Sequence, residues 1–499
     1  MSNVNLIPQP VSIHYNDGTF TSAVLPPITG DALFQNAMNV FSAQLALSAR
    51  SSPSSDSRLV CVKDASLADE AYRLCVTSDA ITVTAATGSG MHHGLETLRQ
   101  LVLSGGTDGA LSIACVEIED RPRFPWRGFM LDTARHFYSV AFVKKLIDAL
   151  SLHHLNKFHW HLTDDQGWRL PVAEYPLLTE IGGKRLNIRH QSYPVYDGGF
   201  YTEDEIRGVV AYAAERGVEV VPEVDLPGHA SAILAAYPGL GCTGGPYRVE
   251  DRHGIFQDVL CAGNDALFDL ATAVFDTLAR LFPSPYVHIG GDEVLFNRWD
   301  NCPKCQKRLA EAGLSKAREL QSWITVKLAN MLGERGKIAI GWDEVLEDSA
   351  RYPLPKNVAV MSWRGAKGGV EASERGHSVI MSPNSDGCYF DYKHRADPDE
   401  PGQISVSSIK QVYHMDPVMP DMPAEVVPRI LGGQGNLWSE LIYAAKIAEY
   451  MIFPRLCALA EAVWTPREAK DFADFMTRLP VHQKRLDALD FLQYRGPAF

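Results

Sequence analysis

Residues 286–292 read YVHIGGD, and the next residue is Glu293. A short, mainly apolar run that ends in two glycines and two adjacent acids has the form of a buried strand breaking off where backbone can approach a ligand closely. Seven further runs of the same kind flank it: GFMLD (128–132), KFHWHLT (157–163), VEVVPEVD (218–225), KIAIGW (337–342), VAVMSW (358–363), SVIMSP (378–383) and ILGGQGNLW (430–438). Helical segments separate them, and eight strand–helix units imply a (β/α)8 TIM barrel within an α/β chain. The connections are uneven. Those after the second and third runs are long, whereas only DEVLEDSARYPLPKN separates the fifth from the sixth, so one helix of the ring is expected to be reduced there.

The pattern changes near residue 120. Before it stand short β-like runs (SRLVCVKD, YRLCVTSD, AITVTAAT) and apolar helical stretches around Leu33 to Ala49 and His92 to Leu103. Residues 1–120 therefore read as a small α/β accessory domain and 121–499 as the barrel. The Ser-rich RSSPSSDS at 50–57 reads as a surface loop.

Composition narrows the class. Hydrophobic residues make up 46% and charged residues 21% of the 499, an ordinary globular mix. Lys plus Arg number 47 against 60 Asp plus Glu, a formal charge of -13, which disfavours nucleic acid and anionic membranes as partners. The opening MSNVNLIPQPVSIHYNDG has neither a basic leader nor an apolar core of signal length, so a cytoplasmic protein is expected. The nine cysteines read as isolated reduced thiols. Cys302 and Cys305 form a CPKC with no second pair, which argues against a zinc ribbon, and Cys242 and Cys261 would bridge only in an exported protein.

A TIM barrel carries its chemistry at the C-terminal ends of the strands. Arg135 follows the first run, Asp164 and Asp165 the second, Asp225 and His229 the third, Asp292 and Glu293 the fourth. Trp342, Asp343, Trp363, Trp438 and Glu440 stand at later ends. A single tryptophan near a strand end is usually packing, and a lone Asp-Glu pair is usually solvated surface. Carboxylates, one arginine and three tryptophans on one rim together suit a neutral polyhydroxylated ligand, which offers hydroxyls to the charges and C–H faces to the indoles.

Seven segments, RGFMLDTARHF (127–137), HWHLTDDQGWR (159–169), PEVDLPGH (222–229), HIGGDE (288–293), GWDE (341–344), YFD (389–391) and LWSE (437–440), resemble in order the motifs of the glycoside hydrolase family 20 β-N-acetylhexosaminidases, and the resemblance spans essentially the whole chain. It implies a retaining, exo-acting hydrolase in which the substrate's own acetamido oxygen attacks the anomeric carbon. It implies Glu293 as acid and then base, Asp292 on the acetamido N–H and Tyr389 on the acetamido oxygen. Arg135, Asp391 and Glu440 then bind sugar hydroxyls, and Trp342, Trp363 and Trp438 wall the pocket. His229 is expected to support the carboxyls through Asp225, with Asp164 and His161 as further supports. Tyr413 is the candidate for one more family aromatic on the leaving-group side. Two adjacent carboxyls resist joint ionisation, so Glu293 is expected to be held protonated beside an ionised Asp292. No metal or cofactor is implied, and the partner is an oligosaccharide or glycoconjugate ending in N-acetylhexosamine.

Two rival readings remain. His159 and His161 form an HxH, as in metal-dependent amidohydrolase barrels, and His229, His288 and Asp292 complete a ligand set. That reading leaves the arginine, the tryptophans and YFD without roles, and retention of activity after chelation separates the two. A non-catalytic amino-sugar-binding protein is the other, separated by hydrolysis of a chromogenic N-acetylglucosaminide.

Overall fold

The computed structural model describes residues 4–45, 49–50, 58–104, 111–185, 198–419 and 422–496. Residues 51–57 of the Ser-rich segment lie outside them.

The first unit is a seven-stranded mixed sheet built from β1 (Ser12–Ser22), β2 (Ile28–Gly30), β3 (Ala49–Arg50), β4 (Leu59–Lys63), β5 (Tyr72–Val76), β6 (Ile81–Ala85) and β7 (Leu111–Asp120), in the order β1-β7-β5-β6-β4-β2-β3. Strands β4, β5 and β6 alternate buried and open positions, as expected for a sheet covered on one face. The cover is α1 (Gln35–Leu45) and α2 (Gly88–Ser104), which pack their apolar sides against it. The long pair β1 and β7 is not among the runs read from sequence.

The second unit is a closed barrel of eight parallel strands: β8 (Trp126–Asp132), β9 (Lys157–His161), β10 (Glu219–Glu223), β11 (Tyr286–His288), β12 (Ile338–Trp342), β13 (Ala359–Ser362), β14 (Val379–Met381) and β15 (Ile430–Leu437). Seven fall within an expected run, and β8 begins two residues before its run at 128–132. All seven residues of β8 are buried, because a barrel strand has the lumen on one side and the helix ring on the other. Met130, Val221, Ile340, Trp342, Met361 and Ile380 fill the lumen. A larger apolar layer joins the barrel's outer face to the helices, among them α3 (Val140–Leu152), α4 (Glu203–Glu215) and α5 (Ala266–Leu281). Helix α4 starts with a capping box in which Thr202 and Glu205 satisfy each other's backbone N–H. Between β12 and β13 stands only a single 3-10 turn, Asp343–Leu346, so the reduced helix lies where the short connection placed it.

Helix α9, reached after α6 (Pro303–Glu311), α7 (Glu319–Gly333) and α8 (Lys367–Glu374), spans Arg455–Trp464 and ends in the core of the sheet domain, where Trp464 packs with Leu74, Val83 and Leu98. Among the described residues, no helix is long and apolar enough to cross a membrane.

Candidate functional site

Strand β11 ends at His288, and the next residues bend the chain sharply. Gly290, Gly291 and Glu293 have φ of 63°, 93° and 51°, in the left-handed region that glycine enters freely and other residues at a cost of about 1–2 kcal/mol. A Cβ on Gly290 would fall onto the Asp225 carboxylate, so only glycine fits. Asp225 in turn accepts from the Gly291 N–H at 2.9 Å and holds the bend. An extended strand would send Asp292 and Glu293 to opposite faces. The bend brings both to one cavity of about 290 Å³.

Arg135, Asp292, Glu293, Trp342, Trp363, Tyr389, Asp391, Trp438 and Glu440 all line that cavity, so nine of the residues singled out in the sequence converge. Tyr389 is delivered by Cys388–Phe390, which pair with Asn436 of β15 as a short extra strand. Its ring lies 6.1 Å from that of Trp363 at 13° between planes. The Trp363 indole N–H is fixed by Glu344 at 2.9 Å, and that of Trp342 by Glu223 at 2.9 Å. The Arg135 guanidinium lies 5.0 Å over Trp438, between Asp164 at 2.8 Å, Asp132 at 3.2 Å and Glu440 at 3.8 Å. Its Nε donates to Gln166 at 3.0 Å. Such a clamp fixes the one cation of the wall before any ligand arrives.

The supports differ in part from expectation. His229 lies near Asp225, but its ion-pair contacts are with other acids. Its Nδ1 meets Asp165 at 2.9 Å and Asp164 at 3.2 Å, while Nε2 points toward Glu293 at 3.5 Å and Asp292 at 3.7 Å. Burial alone would discharge this ring, but Asp164 and Asp165 raise its pKa well above the usual histidine value, so an imidazolium faces the two acids. The same cation and Arg135 hold Asp164 well below the carboxylate range despite its burial. His161 bonds Asp164 at 2.9 Å and also Glu223, as a support should.

Asp292, expected as the ionised acid, is instead raised. Asp292 is buried, and burial first, then the nearby Asp225 charge, pushes it well above the usual value, while Glu293 is only half-buried at the mouth. Burial pushes Asp225 up to about 6 as well. Two carboxyls facing each other in low dielectric share a proton, and the titration belongs to the pair. Burial and the Asp292 charge also push Glu344 up to about 9. Asp391 is raised by burial and by Glu440.

Sequence reasoning missed Glu223 and Glu344. Glu223 sits inside the barrel under Trp342, with His159 at 2.9 Å, His288 at 3.0 Å and His161 against the same carboxyl. These rings hold it well below the carboxylate range despite complete burial. The signal was a charged residue at an inward position of a barrel strand, which is rare without partners. Tyr413 is not a pocket residue. It lies in the helix Ile409–His414 with its hydroxyl on Glu461 at 3.1 Å, and the aromatic that reaches the cavity from this region is Tyr392, followed by the exposed Ile404. The ligand set of the amidohydrolase reading is divided: His159 and His288 gather on Glu223, whereas His229 and Asp292 gather with Asp225. Arg169 ties the loops after β8 and β9 together by donating to the carbonyls of Thr133 at 2.8 Å, Ala134 at 2.6 Å and Gly183 at 2.9 Å.

A carboxylate- and indole-walled pocket at the C-terminal mouth of an eight-stranded parallel barrel defines a glycosidase-type sugar site. Residues 124–467 match the family model "Glycosyl hydrolase family 20, catalytic domain", and residues 3–121 match "Glycosyl hydrolase family 20, domain 2". The chain belongs to glycosyl hydrolase family 20. It is 42% identical over 84% of its length to a β-hexosaminidase of Porphyromonas gingivalis and 37% identical over 79% to one of Vibrio furnissii, and it spans 54% and 65% of those two proteins. Among solved structures it superposes with a TM-score of 0.91 and 32% identity on the exo-β-N-acetylglucosaminidase of Vibrio harveyi in complex with N-acetylglucosamine, covering 99% of this chain and 79% of that one.

Proposed function

We propose that the protein is an exo-acting β-N-acetylhexosaminidase that removes terminal N-acetylglucosamine or N-acetylgalactosamine with retention of configuration. The observation that carries this reading is the bend at 290–293, which sets two consecutive acids on one cavity opposite Tyr389. The cavity of about 290 Å³ is at the small end for ligand sites, which run from roughly 300 Å³, and matches one pyranose with its acetamido arm. That size supports attack at a chain end.

In this reading Glu293, nearest the mouth, gives its proton to the departing glycosidic oxygen while the acetamido oxygen attacks the anomeric carbon, closing an oxazolinium ring. Asp292 accepts the acetamido N–H with the buried Oδ1 that has no hydrogen-bond partner in the free pocket, and Tyr389 meets the acetamido oxygen. As positive charge grows on the ring, the ionised Asp292 stabilises it. Glu293, now a carboxylate, takes a proton from water as that water opens the ring. The two displacements invert the centre twice, so the product keeps the β configuration. Asp391 and Glu440, each with a buried unpartnered oxygen, receive sugar hydroxyls beside Arg135.

The test compares 4-nitrophenyl N-acetyl-β-glucosaminide and N-acetyl-β-galactosaminide with the β-glucoside that lacks the amide, and reads the first anomer formed by NMR. Cleavage confined to the acetamido sugars, with β product first, is the expected result. Equal turnover of the plain glucoside, or α product first, would overturn the substrate-assisted reading.

A further inference from the structure

Outside the pocket, the loop that follows β10 and the segment that follows Glu293 bring four cysteines together. Cys242 comes just after a 3-10 turn at Pro238–Leu240. Cys261 lies beside it through the Gly241–Leu260 bridge and its own N–H on the Leu240 carbonyl at 2.8 Å. Cys302 is the residue before α6 and Cys305 lies in its first turn. Isolated thiols were expected. Instead the Sγ atoms of Cys242 and Cys305 are 3.7 Å apart, those of Cys261 and Cys302 3.8 Å, and those of Cys261 and Cys305 3.6 Å, with all four sulphurs within 4.8 Å of one another. All nine cysteines of the chain are free. The second pair that the CPKC lacked in sequence is supplied by residues 41 to 63 positions away in the chain.

These separations have a metric meaning. Zinc binds thiolate at about 2.3 Å, and four sulphurs at that radius in a tetrahedron lie about 3.8 Å from each other. We propose that Cys242, Cys261, Cys302 and Cys305 form a tetrathiolate site for a structural zinc ion, which pins the loop after β10 to the helix that begins just beyond the Asp292–Glu293 bend.

The surroundings suit such a site. Gly263 packs so tightly on Lys304 and Cys305 that a Cβ would collide with their backbone. Cys302 caps nothing with its side chain, although it stands at the amino end of a nine-residue helix with Pro303 in the first position, where unpaired N–H groups favour negative charge. Cys261, Cys302 and Cys305 are buried, and Cys242 closes the open side. Four protein ligands and no free position leave the ion a scaffold role. The arrangement also unites two long connections that the barrel alone does not tether: Trp299 donates to the Leu260 carbonyl at 2.9 Å, and the sulphurs continue that seam.

The untagged full-length chain, expressed with zinc and purified without chelator, is assayed for metals by mass spectrometry. The expected result is about one zinc per chain that survives mild chelation and is released, together with thiol reactivity, by a mercurial. Refolding with cobalt(II) in place of zinc should give the intense visible and near-ultraviolet bands of a thiolate-bound tetrahedral ion. Cys305→Ser should lose the metal and lower the melting temperature by more than Cys61→Ser, which alters a buried thiol in the sheet domain. A native chain with negligible zinc, with iron instead, or with two disulfides by intact mass would overturn the assignment. So would zinc content unchanged in Cys305→Ser. If that variant is insoluble, the metal content and cobalt spectrum of the unmodified chain decide the matter alone.

Discussion

At the seam between the sheet domain and the barrel, buried charges are matched by the protein itself. Glu70 takes Arg127 at 2.6 Å and His93 at 3.1 Å, and these hold it below the carboxylate range despite burial. Glu461 takes Arg478 at 2.7 Å, whose guanidinium also donates to the Leu6 carbonyl. Asp120 has no close cation, yet Tyr72 at 2.8 Å, Trp464 at 3.0 Å and the Val11 N–H at 3.0 Å all donate to it. In the pocket the same residue types are left wanting. Asp292, Asp391 and Glu440 each keep a buried oxygen without a hydrogen-bond partner, and all three are pushed upward in pKa, burial being the largest cause. A buried polar atom without a partner costs about 1–3 kcal/mol, so the pocket stores an unmet demand for donors that a ligand rich in O–H and N–H would satisfy. The three seam carboxyls keep no such oxygen, although burial pushes Asp120 up to about 7 as well, and they hold the domains together.

The contrast can be broken first at the acid. Glu293→Gln should lower kcat on an N-acetylglucosaminyl disaccharide by about 10²–10⁴-fold, the range of general acid catalysis, and far less on an aryl glycoside with a good leaving group. Its melting temperature should stay that of the parent, and undiminished disaccharide turnover would remove Glu293 from the acid role. At the seam the outcome should reverse. Asp120→Ala strands the Trp464 indole and leaves the Tyr72 hydroxyl with Thr97 alone, so chemical unfolding should show a loss of about 2–3 kcal/mol while kcat/KM per folded molecule is unchanged.

A pH profile sharpens the comparison within the pocket. Asp292 must be ionised to accept the amide, and the pair it forms with Asp225 is raised, Asp225 to about 6. The rate kcat/KM should therefore fall as pH drops through the raised titration of this pair, and Asp225→Asn, which removes the neighbouring charge, should move that limb to lower pH. The smallest effect concerns Asp391. Its folded pKa is raised, so the stability it contributes is full below its unfolded pKa and is lost as pH rises through the folded one. Asp391→Asn escapes that loss and should gain about 1 kcal/mol over the parent at neutral pH, the gap widening from pH 5 to 8, while substrate affinity falls.

The barrel was legible because its strands are buried on both sides and so appear as unbroken apolar runs, each ending in a functional residue at the same face. The pocket wall was legible for the same reason: Arg135, the Asp292–Glu293 pair and the three tryptophans stand at those ends. What escaped reading depended on distance in the chain. Strands β1 and β7 pair across about a hundred residues, Ser12 against Glu119, with no local turn to announce them. Glu223 reads as one more acid in PEVD until three histidines from neighbouring strands close on it. His229 was assigned to Asp225 because the two share a motif, yet its ring turns to the loop after β9. The four cysteines are spread along the chain as if unrelated, and only the fold makes them neighbours.

The bend at 290–293 has one more result. Because Asp292 and Glu293, to which the proposed mechanism gives the amide and the proton, are consecutive in the chain, the separation of their Cα atoms is set by a single peptide unit, about 3.8 Å, rather than by how two strands happen to slide past each other. Thermal breathing of the barrel carries both acids together, so the mouth can widen to admit or release a sugar without pulling the two functional groups out of step.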